Sequence, residues 1–164
     1  MKTLLLIRHA KSDWNDFDLA DIDRPLNQRG KEDAPEMAER IRNRISKIDA
    51  FISSPAKRAR KTAKFFVHAY NKRKDDIQIE QSLYEAPVTA YEKMLARINE
   101  QYSTAAIFAH NPGITDFVNT LTEEIVYNMP TCAVFAVRAY TDKWEDFKNA
   151  KKEFLFFETP KNQS

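Results

Sequence analysis

Four separated segments of this chain carry a histidine or an arginine where a bound ligand could reach it. They are Arg8-His9, Arg24, Arg58 and His110. A guanidinium stays charged and binds a phosphoryl group through two hydrogen bonds. An imidazole beside such a cation can attack an electrophile or help to hold an anion. If the chain brings these groups together, they would form a pocket suited to a dianionic phosphoryl group.

The local sequence explains why these groups should converge. Residues 4–7 are an uninterrupted apolar run, which is typical of a strand buried on both faces, and Arg8-His9 follows directly. His110 follows a second apolar run at 104–109, and Arg58 follows a short one at 49–52. Ligands of open α/β sheets bind outside the carboxyl ends of the strands, so we expect these side chains to meet at one sheet edge.

The order of the patterns predicts the fold class. Strands alternate with helices, which predicts an α/β protein: a three-layer sandwich with a mostly parallel sheet and helices on both faces. We expect one domain over residues 1–159 and a frayed tail at 160–164. The predicted strands are 3–8, 49–52, 77–79, 104–109, 132–140 and 153–158, and the predicted helices are 30–47, 56–74, 88–101 and 114–121.

Composition argues against several functional classes. With 26 basic and 24 acidic residues, the net charge of +2 is too small to indicate nucleic acid or a membrane surface as a partner. The basic run at 57–64 is therefore interpreted as a solvated helix face, with only Arg58 assigned to the pocket. No segment approaches the ~18 apolar residues of a membrane span. Cys132 is the single cysteine, which fits a reducing compartment, and we expect a cytoplasmic protein.

Metal and nucleotide cofactors are not expected. The three histidines, His9, His68 and His110, show no ligand spacing with one another or with Cys132. Gly30 and Gly113 are the two glycines, and neither belongs to a glycine-rich phosphate loop.

The ordered set of segments resembles a known family. Arg8-His9-Ala10, Arg24-Pro25-Leu26, Ser53-Ser54-Pro55 with Arg58, and His110 are similar to the histidine phosphatase superfamily, in its phosphoglycerate-mutase-like branch. Residues 8–12, 23–30 and 83–86 extend the likeness to the small SixA-type phosphohistidine phosphatases. The resemblance spans residues 3–140. Ala10 is a departure, because much of the superfamily has glycine there.

The resemblance implies a role for each matching residue. His9 would be the nucleophile and would form a phosphohistidine intermediate. Arg8, Arg58 and His110 would hold the phosphoryl oxygens, and Arg24 would join them. These guanidiniums should also lower the pKa of His9, which keeps its attacking lone pair free at neutral pH. No metal is required, because the arginines neutralise the charge.

The proton donor is less well defined. Glu85 is the first candidate, and Asp21 and Asp23 in the first loop are alternatives. An alkoxide leaving group needs a proton, whereas an imidazole, with a pKa of about 6.5, leaves far more readily. A site with a poorly defined acid would therefore serve phosphohistidine better than a sugar phosphate, and the resemblance implies phosphohistidine on a protein as the substrate. A small phosphate ester is the first alternative, and a non-catalytic module that binds phosphorylated ligands is the second.

Overall fold

The computed structural model describes residues 1–161, whose strands form a six-stranded sheet in the order β3-β2-β4-β1-β5-β6. The strands β1 to β4 run parallel to one another, whereas β5 is antiparallel to both β1 and β6. The α/β prediction with a mostly parallel sheet is confirmed. The strands are β1 (Lys2–Arg8), β2 (Ala50–Ser53), β3 (Ile77–Ile79), β4 (Thr104–Ala109), β5 (Val134–Ala139) and β6 (Lys152–Glu158).

Helices cover both faces of this sheet. Because side chains alternate along a strand, Leu5 and Ile7 of β1 face one apolar cluster, and Leu4 and Leu6 face the other. The first cluster includes residues of α1 and α2, and the second includes residues of α3 and α4, which gives the predicted three layers. The helices are α1 (Gln28–Arg44), α2 (Lys57–Ala69), α3 (Val88–Ala96) and α4 (Gly113–Val118).

The predicted helix boundaries needed correction. The first helix begins at Gln28 rather than at residue 30, because the Asn27 side chain caps it by accepting a hydrogen bond from Gly30 N at 2.9 Å. The helix predicted over 56–74 ends at Ala69, and Asn71 then takes a left-handed conformation with φ 58°. The helix predicted over 88–101 ends at Ala96, and the one predicted over 114–121 is α4.

Position 30 requires glycine because two backbone segments approach each other closely there. A Cβ at this position would lie 2.2 Å from Lys11 O, in the segment that leaves β1. Alanine stabilises an open helix by about 1 kcal/mol over glycine, but relieving so short a contact with a backbone oxygen falls at the upper end of the usual range for overpacking, about 2–3 kcal/mol. We expect Gly30→Ala to lower the free energy of urea unfolding by about 1–2 kcal/mol. Lys31→Ala, at the exposed neighbour, should change it by less than about 0.5 kcal/mol. Equal stability of Gly30→Ala and the wild type would contradict this packing.

Two further expectations concern the chain ends and the membrane. Pro160 and Lys161 lie in a turn after β6, and residues 162–164 are outside the described part of the chain, so the frayed tail stays a prediction. Within residues 1–161, no helix combines the length and the apolar character needed to cross a bilayer.

Candidate active site

The backbone around His9 is fixed from three sides. His9 N donates to Ala109 O at the end of β4 (3.1 Å), and Cys132 N donates to His9 O (3.0 Å). From α2, Thr62 Oγ1 accepts a hydrogen bond from Ala10 N at 2.9 Å. Ala10 is fully buried, so the methyl group that replaces the family's glycine fits this site. These contacts hold the His9 side chain at the carboxyl end of the central strand.

One nitrogen of the His9 ring is unprotonated. Its Nδ1 lies 2.8 Å from Ala10 O, and since a carbonyl only accepts, Nδ1 carries the proton. Nε2 is therefore unprotonated, and it accepts a long hydrogen bond from Arg58 Nε at 3.4 Å. Nε2 is the ring atom available to attack an electrophile.

Burial keeps this imidazole neutral. Burial is the main cause that lowers the pKa of His9 to about 3; the backbone hydrogen bond to Ala10 opposes it, and His110, Arg58 and Arg8 make smaller lowering contributions. The sequence predicted a lowered pKa from the guanidiniums alone. The structure gives desolvation as the larger cause, because His9 is only 6% exposed.

His110 lies beside His9, with the two ring centroids 5.1 Å apart. Ser54 Oγ accepts a hydrogen bond from Ala56 N (3.1 Å) and lies 2.6 Å from His110 Nε2, to which its hydroxyl can donate. The other ring nitrogen, Nδ1, is buried and has no hydrogen-bond partner within residues 1–161. Burial, followed by the charge of Arg58, lowers the pKa of His110 to about 4.

Arg58 is the link between these imidazoles and the first loop. It lies in the first turn of α2 and is 7% exposed. Beyond its contact with His9, Nη1 donates to Asp21 O at 2.7 Å and Nη2 donates to Asp21 Oδ2 at 3.1 Å. The Arg58 carbonyl accepts a hydrogen bond from Thr62 Oγ1 at 2.8 Å, so Thr62 orients both the His9 segment and this turn.

Asp21 is a carboxylate that connects the cations around it. It lies in a 3₁₀ turn, Asp21–Asp23, and accepts a hydrogen bond from the Tyr84 hydroxyl at 2.5 Å. That bond, and then Arg58, hold the pKa of Asp21 below its ordinary value although partial burial opposes them. Arg24 Nε is 3.8 Å from Asp21 Oδ1, and its guanidinium stacks on Trp14 at 4.1 Å.

Arg8 approaches the site from the end of β1. Its Nη1 donates to Met129 O at 2.8 Å, and burial together with the charge of Arg58 lowers its pKa. Arg8 Nε is buried and lacks a hydrogen-bond partner among the described residues, as do Arg24 Nε and Nη1. Unpaired buried donors are costly unless a ligand meets them.

Two of the candidate acids form no hydrogen bond or ion pair with this cluster. The hydrogen bond to Asp21, and more weakly the charge of Glu85, raise the pKa of Tyr84. Glu85 is exposed, with a left-handed φ of 56°, and forms no hydrogen bond or ion pair within the described residues. Asp23 is also exposed. Of the three carboxylates considered, Asp21 is the one that contacts Arg58. The catalytic role of Glu85 stays a prediction.

Three side chains that sequence reasoning did not assign also belong to the site. They are Ser54, Thr62 and Tyr84, whose ring lies 5.7 Å from that of His110. Ser54 and Tyr84 lie within the quoted segments, so their positions carried a signal, whereas Thr62 appeared only as a helix residue.

Two observations concern metal ligands and the Cys132 thiol. Within residues 1–161, no three His, Cys, Asp or Glu side chains are grouped so as to bind a metal ion. Burial raises the pKa of the Cys132 thiol, which keeps it protonated and unreactive.

The two neutral imidazoles predict a stability that falls in acid. Their folded pKa values of about 3 and about 4 lie below the unfolded value of about 6.5, so the unfolded chain binds more protons in that window. The stability that these two neutral rings contribute is fully present above about pH 6.5 and is lost as the pH falls towards their folded pKa values. Between about pH 7.5 and 5, we expect each imidazole to remove about 1–2 kcal/mol from the free energy of unfolding.

Urea unfolding at the two pH values would measure this loss. His9→Asn should lose about 1–2 kcal/mol less than the wild type between them, because one buried imidazole is gone. His68→Gln removes an exposed histidine and should lose as much as the wild type. A His9→Asn variant with the wild-type pH dependence would show that His9 is not held neutral by burial.

Several proteins of known structure share the fold of this chain. A protein from Agrobacterium tumefaciens, provisionally assigned as a phosphohistidine phosphatase SixA, superposes with a TM-score of 0.82 at 23% identity, over 97% of this chain and 98% of that one. The protein histidine phosphatase SixA in complex with tungstate gives 0.80 at 19% identity, covering 96% and 97%. A mycobacterial glucosyl-3-phosphoglycerate phosphatase gives 0.70 at 14% identity, covering 93% and 96%.

At these identities the structural matches establish the shared fold alone. The family assignment comes from the sequence: residues 4–122 match the model of the histidine phosphatase superfamily (branch 1). This match covers the segments that contribute His9, Arg24, Arg58 and His110. The chain therefore belongs to branch 1 of the histidine phosphatase superfamily.

Proposed function

We propose that this protein removes the phosphoryl group from phosphohistidine on another protein, through a covalent phosphohistidine on His9. Membership of the superfamily supports phosphatase activity. In the proposed first step, His9 Nε2 forms a bond to phosphorus while the phosphorus–nitrogen bond of the substrate breaks, and the substrate ring, protonated from solvent on its other nitrogen, leaves as neutral imidazole. Water then attacks the phosphorus of phosphorylated His9 and loses a proton to solvent, which breaks the bond to Nε2, regenerates the free ring and releases inorganic phosphate.

The observation that carries the proposal is the unpaired polar surface around His9. Buried side-chain nitrogens of Arg8, Arg24 and His110 lack hydrogen-bond partners within the described residues, and Arg58 donates to the attacking nitrogen at 3.4 Å. A phosphoryl group would satisfy these donors and would share its negative charge among three guanidiniums. Preorganised donors of this kind are the usual main source of rate enhancement in phosphoryl transfer.

The carboxylates favour a leaving group that needs little acid assistance. Tyr84 and Arg58 hold Asp21 in its ionised form, which cannot donate a proton, and Glu85 is exposed and unpaired. Alkoxide departure would be poorly served by this arrangement. The imidazole of phosphohistidine departs readily because its conjugate acid has a pKa of about 6.5. The name of the tungstate-bound neighbour, a protein histidine phosphatase, agrees with this preference.

A small-molecule phosphomonoesterase is the second candidate. The mycobacterial neighbour, named as a glucosyl-3-phosphoglycerate phosphatase, shares the fold. A non-catalytic module that binds phosphorylated ligands is less well supported, because binding an anion does not require an unprotonated imidazole nitrogen. For all these candidates we propose a cytoplasmic protein that works without a metal.

A substrate panel distinguishes these candidates. It would compare a phosphohistidine protein, free phosphohistidine and common phosphomonoesters, with wild type and Glu85→Ala. We expect the highest kcat/KM on phosphohistidine, and a loss of less than about threefold there with Glu85→Ala. If Glu85 acts as the general acid for alkyl phosphates, its loss should cost about 10²-fold or more on those substrates. Faster turnover of sugar or nucleotide phosphates would favour the phosphomonoesterase, and equal losses on both substrate types would contradict the leaving-group argument.

A further inference from the structure

A groove of five cations lies on the exposed side of α2. We call it the α2 basic groove, and its cations are Lys57, Arg60, Lys61, Lys64 and Lys74. Within residues 1–161 none of the five forms an ion pair with a carboxylate, and Asp75 is the single acidic residue in the lining. The chain as a whole is nearly balanced, with 26 basic and 24 acidic residues. The groove therefore carries a larger excess of positive charge than the composition of the chain as a whole.

This clustering is unfavourable for the isolated protein. The charge of Lys64, followed by burial and then by Lys57 and Arg60, lowers the pKa of Lys61, which reports mutual repulsion within the groove. Like charges placed three and four residues apart on a helix destabilise it. An acidic partner would turn this repulsion into attraction.

The shape of the groove favours a protein partner over nucleic acid. Its volume is about 580 Å³, and the side chains of Ile77 and Ile79 contribute an apolar surface between the cations. Ile79 is 42% exposed, which is unusual for a large aliphatic side chain in a strand. No aromatic ring lines the groove, although stacking on aromatic rings is the common way to hold single-stranded bases. Isoleucines framed by lysines suit a segment that carries both apolar and acidic side chains.

The position of the groove connects it to the site at His9. Lys57 and Arg58 are adjacent residues in the first turn of α2, and Arg58 contacts His9. With a helical rise of about 1.5 Å per residue, Lys61 and Lys64 lie roughly 5 and 9 Å farther along the helix axis than Arg58. An extended chain advances about 3.3 Å per residue, so residues two to six positions from a bound phosphohistidine can reach the groove.

We propose that the α2 basic groove docks an acidic segment of the protein that presents its phosphohistidine to His9. This inference rests on the proposed function, and it adds the surface that selects the partner. Docking raises the local concentration of the substrate and accelerates its encounter with the site, so it acts on kcat/KM for protein substrates. It contributes nothing to turnover of free phosphohistidine, which does not extend to the groove.

Two synthetic peptides provide the test. Each carries one histidine, phosphorylated with phosphoramidate, flanked on both sides by four glutamates in one peptide and by four glutamines in the other. At low salt we expect about tenfold higher kcat/KM on the glutamate peptide, a preference that about 0.5 M NaCl should abolish. Lys61→Glu/Lys64→Glu should reduce the preference to less than twofold and leave kcat/KM on free phosphohistidine within twofold of wild type.

A matched variant controls for net charge. Lys93→Glu/Lys151→Glu changes two exposed lysines outside the groove, Lys93 being in α3 on the opposite face of the sheet, and should keep the wild-type preference. If both double variants lose the preference equally, the effect is one of total charge and the docking proposal is overturned. A glutamate preference that Lys61→Glu/Lys64→Glu retains would overturn it too.

Direct binding separates this inference from the proposed function. Fluorescence anisotropy of the labelled, unphosphorylated glutamate peptide should show at least fivefold weaker binding to Lys61→Glu/Lys64→Glu than to wild type. Equal binding to both proteins overturns the docking surface whatever the enzyme hydrolyses. Tighter binding of a duplex DNA oligonucleotide than of the peptide would assign the groove to nucleic acid instead. Failure to hydrolyse either phosphopeptide, with peptide binding intact, would contradict the proposed function alone.

Discussion

His9→Ala should abolish turnover of phosphohistidine, lowering kcat/KM by roughly 10⁴-fold or more, as is usual when a nucleophile is removed. The variant lacks Nε2, the buried nitrogen that stays unprotonated because Nδ1 donates to Ala10 O. The arginines remain, so the variant should still bind tungstate, which a rise in its thermal unfolding temperature would report. His68→Ala removes an exposed imidazole and should retain wild-type kinetics.

The covalent intermediate gives an independent measurement of the same step. Brief exposure of the wild type to substrate labelled with radioactive phosphorus should leave an acid-labile label on His9, and His9→Ala should take up none. Hydrolysis by His9→Ala at the wild-type rate would show that His9 is not the nucleophile. An acid-stable label, or a label on another residue, would also contradict the mechanism.

Arg58→Ala is expected to cause the second largest loss, about 10²–10³-fold in kcat/KM, the range seen when one preorganised donor to a developing charge is removed. Its guanidinium contacts both His9 Nε2 and Asp21, so the substitution removes a cation from the phosphoryl site and releases the Asp21 carboxylate. The kcat/KM of Arg58→Lys should remain at least about tenfold below wild type, because one ammonium cannot reproduce the hydrogen bonds that the guanidinium donates to His9 Nε2, Asp21 O and Asp21 Oδ2.

Arg60→Ala provides the matched control for this prediction. Arg60 lies two residues farther along α2, is exposed, and donates to Pro55 O at 2.9 Å away from His9. Its loss should leave kcat/KM on free phosphohistidine within twofold. An Arg58→Ala enzyme that folds normally and keeps more than a tenth of wild-type activity would exclude Arg58 from charge stabilisation.

The buried strands and the residues that directly follow them were predictable from the sequence, because a short apolar run has few possible structures. The apolar run at residues 4–7 predicted a strand buried on both faces, and these residues are completely buried in β1. The placement of Arg8-His9 and His110 after such strands predicted their convergence, and the ring centroids of His9 and His110 are 5.1 Å apart. Short-range patterns sufficed here because the strand direction determines where the next residue lies.

Contacts made by irregular segments were beyond the sequence. Asp21 reaches Arg58 because the first loop is folded by a Ser12–Leu26 bridge and a 3₁₀ turn, and neither is encoded by a periodic pattern. The sequence ranked Glu85 ahead of Asp21 by its position after a strand. In the structure Tyr84, its neighbour, is the residue that contacts Asp21. A one-residue difference in which side chain faces inward cannot be read from composition or spacing.

The central location of β1 bears on how the protein matures during synthesis. β1 pairs on one side with β4, Thr3 opposite Thr104, and on the other with β5, Lys2 opposite Ala139. Neither partner exists when the ribosome has released only the first half of the chain. β1, which ends at Arg8 and positions His9, therefore stays unpaired until most of the polypeptide has emerged. During that time its four consecutive apolar residues have no strand partner. Long-range pairing of this kind slows folding and leaves nascent chains open to chaperones and to aggregation.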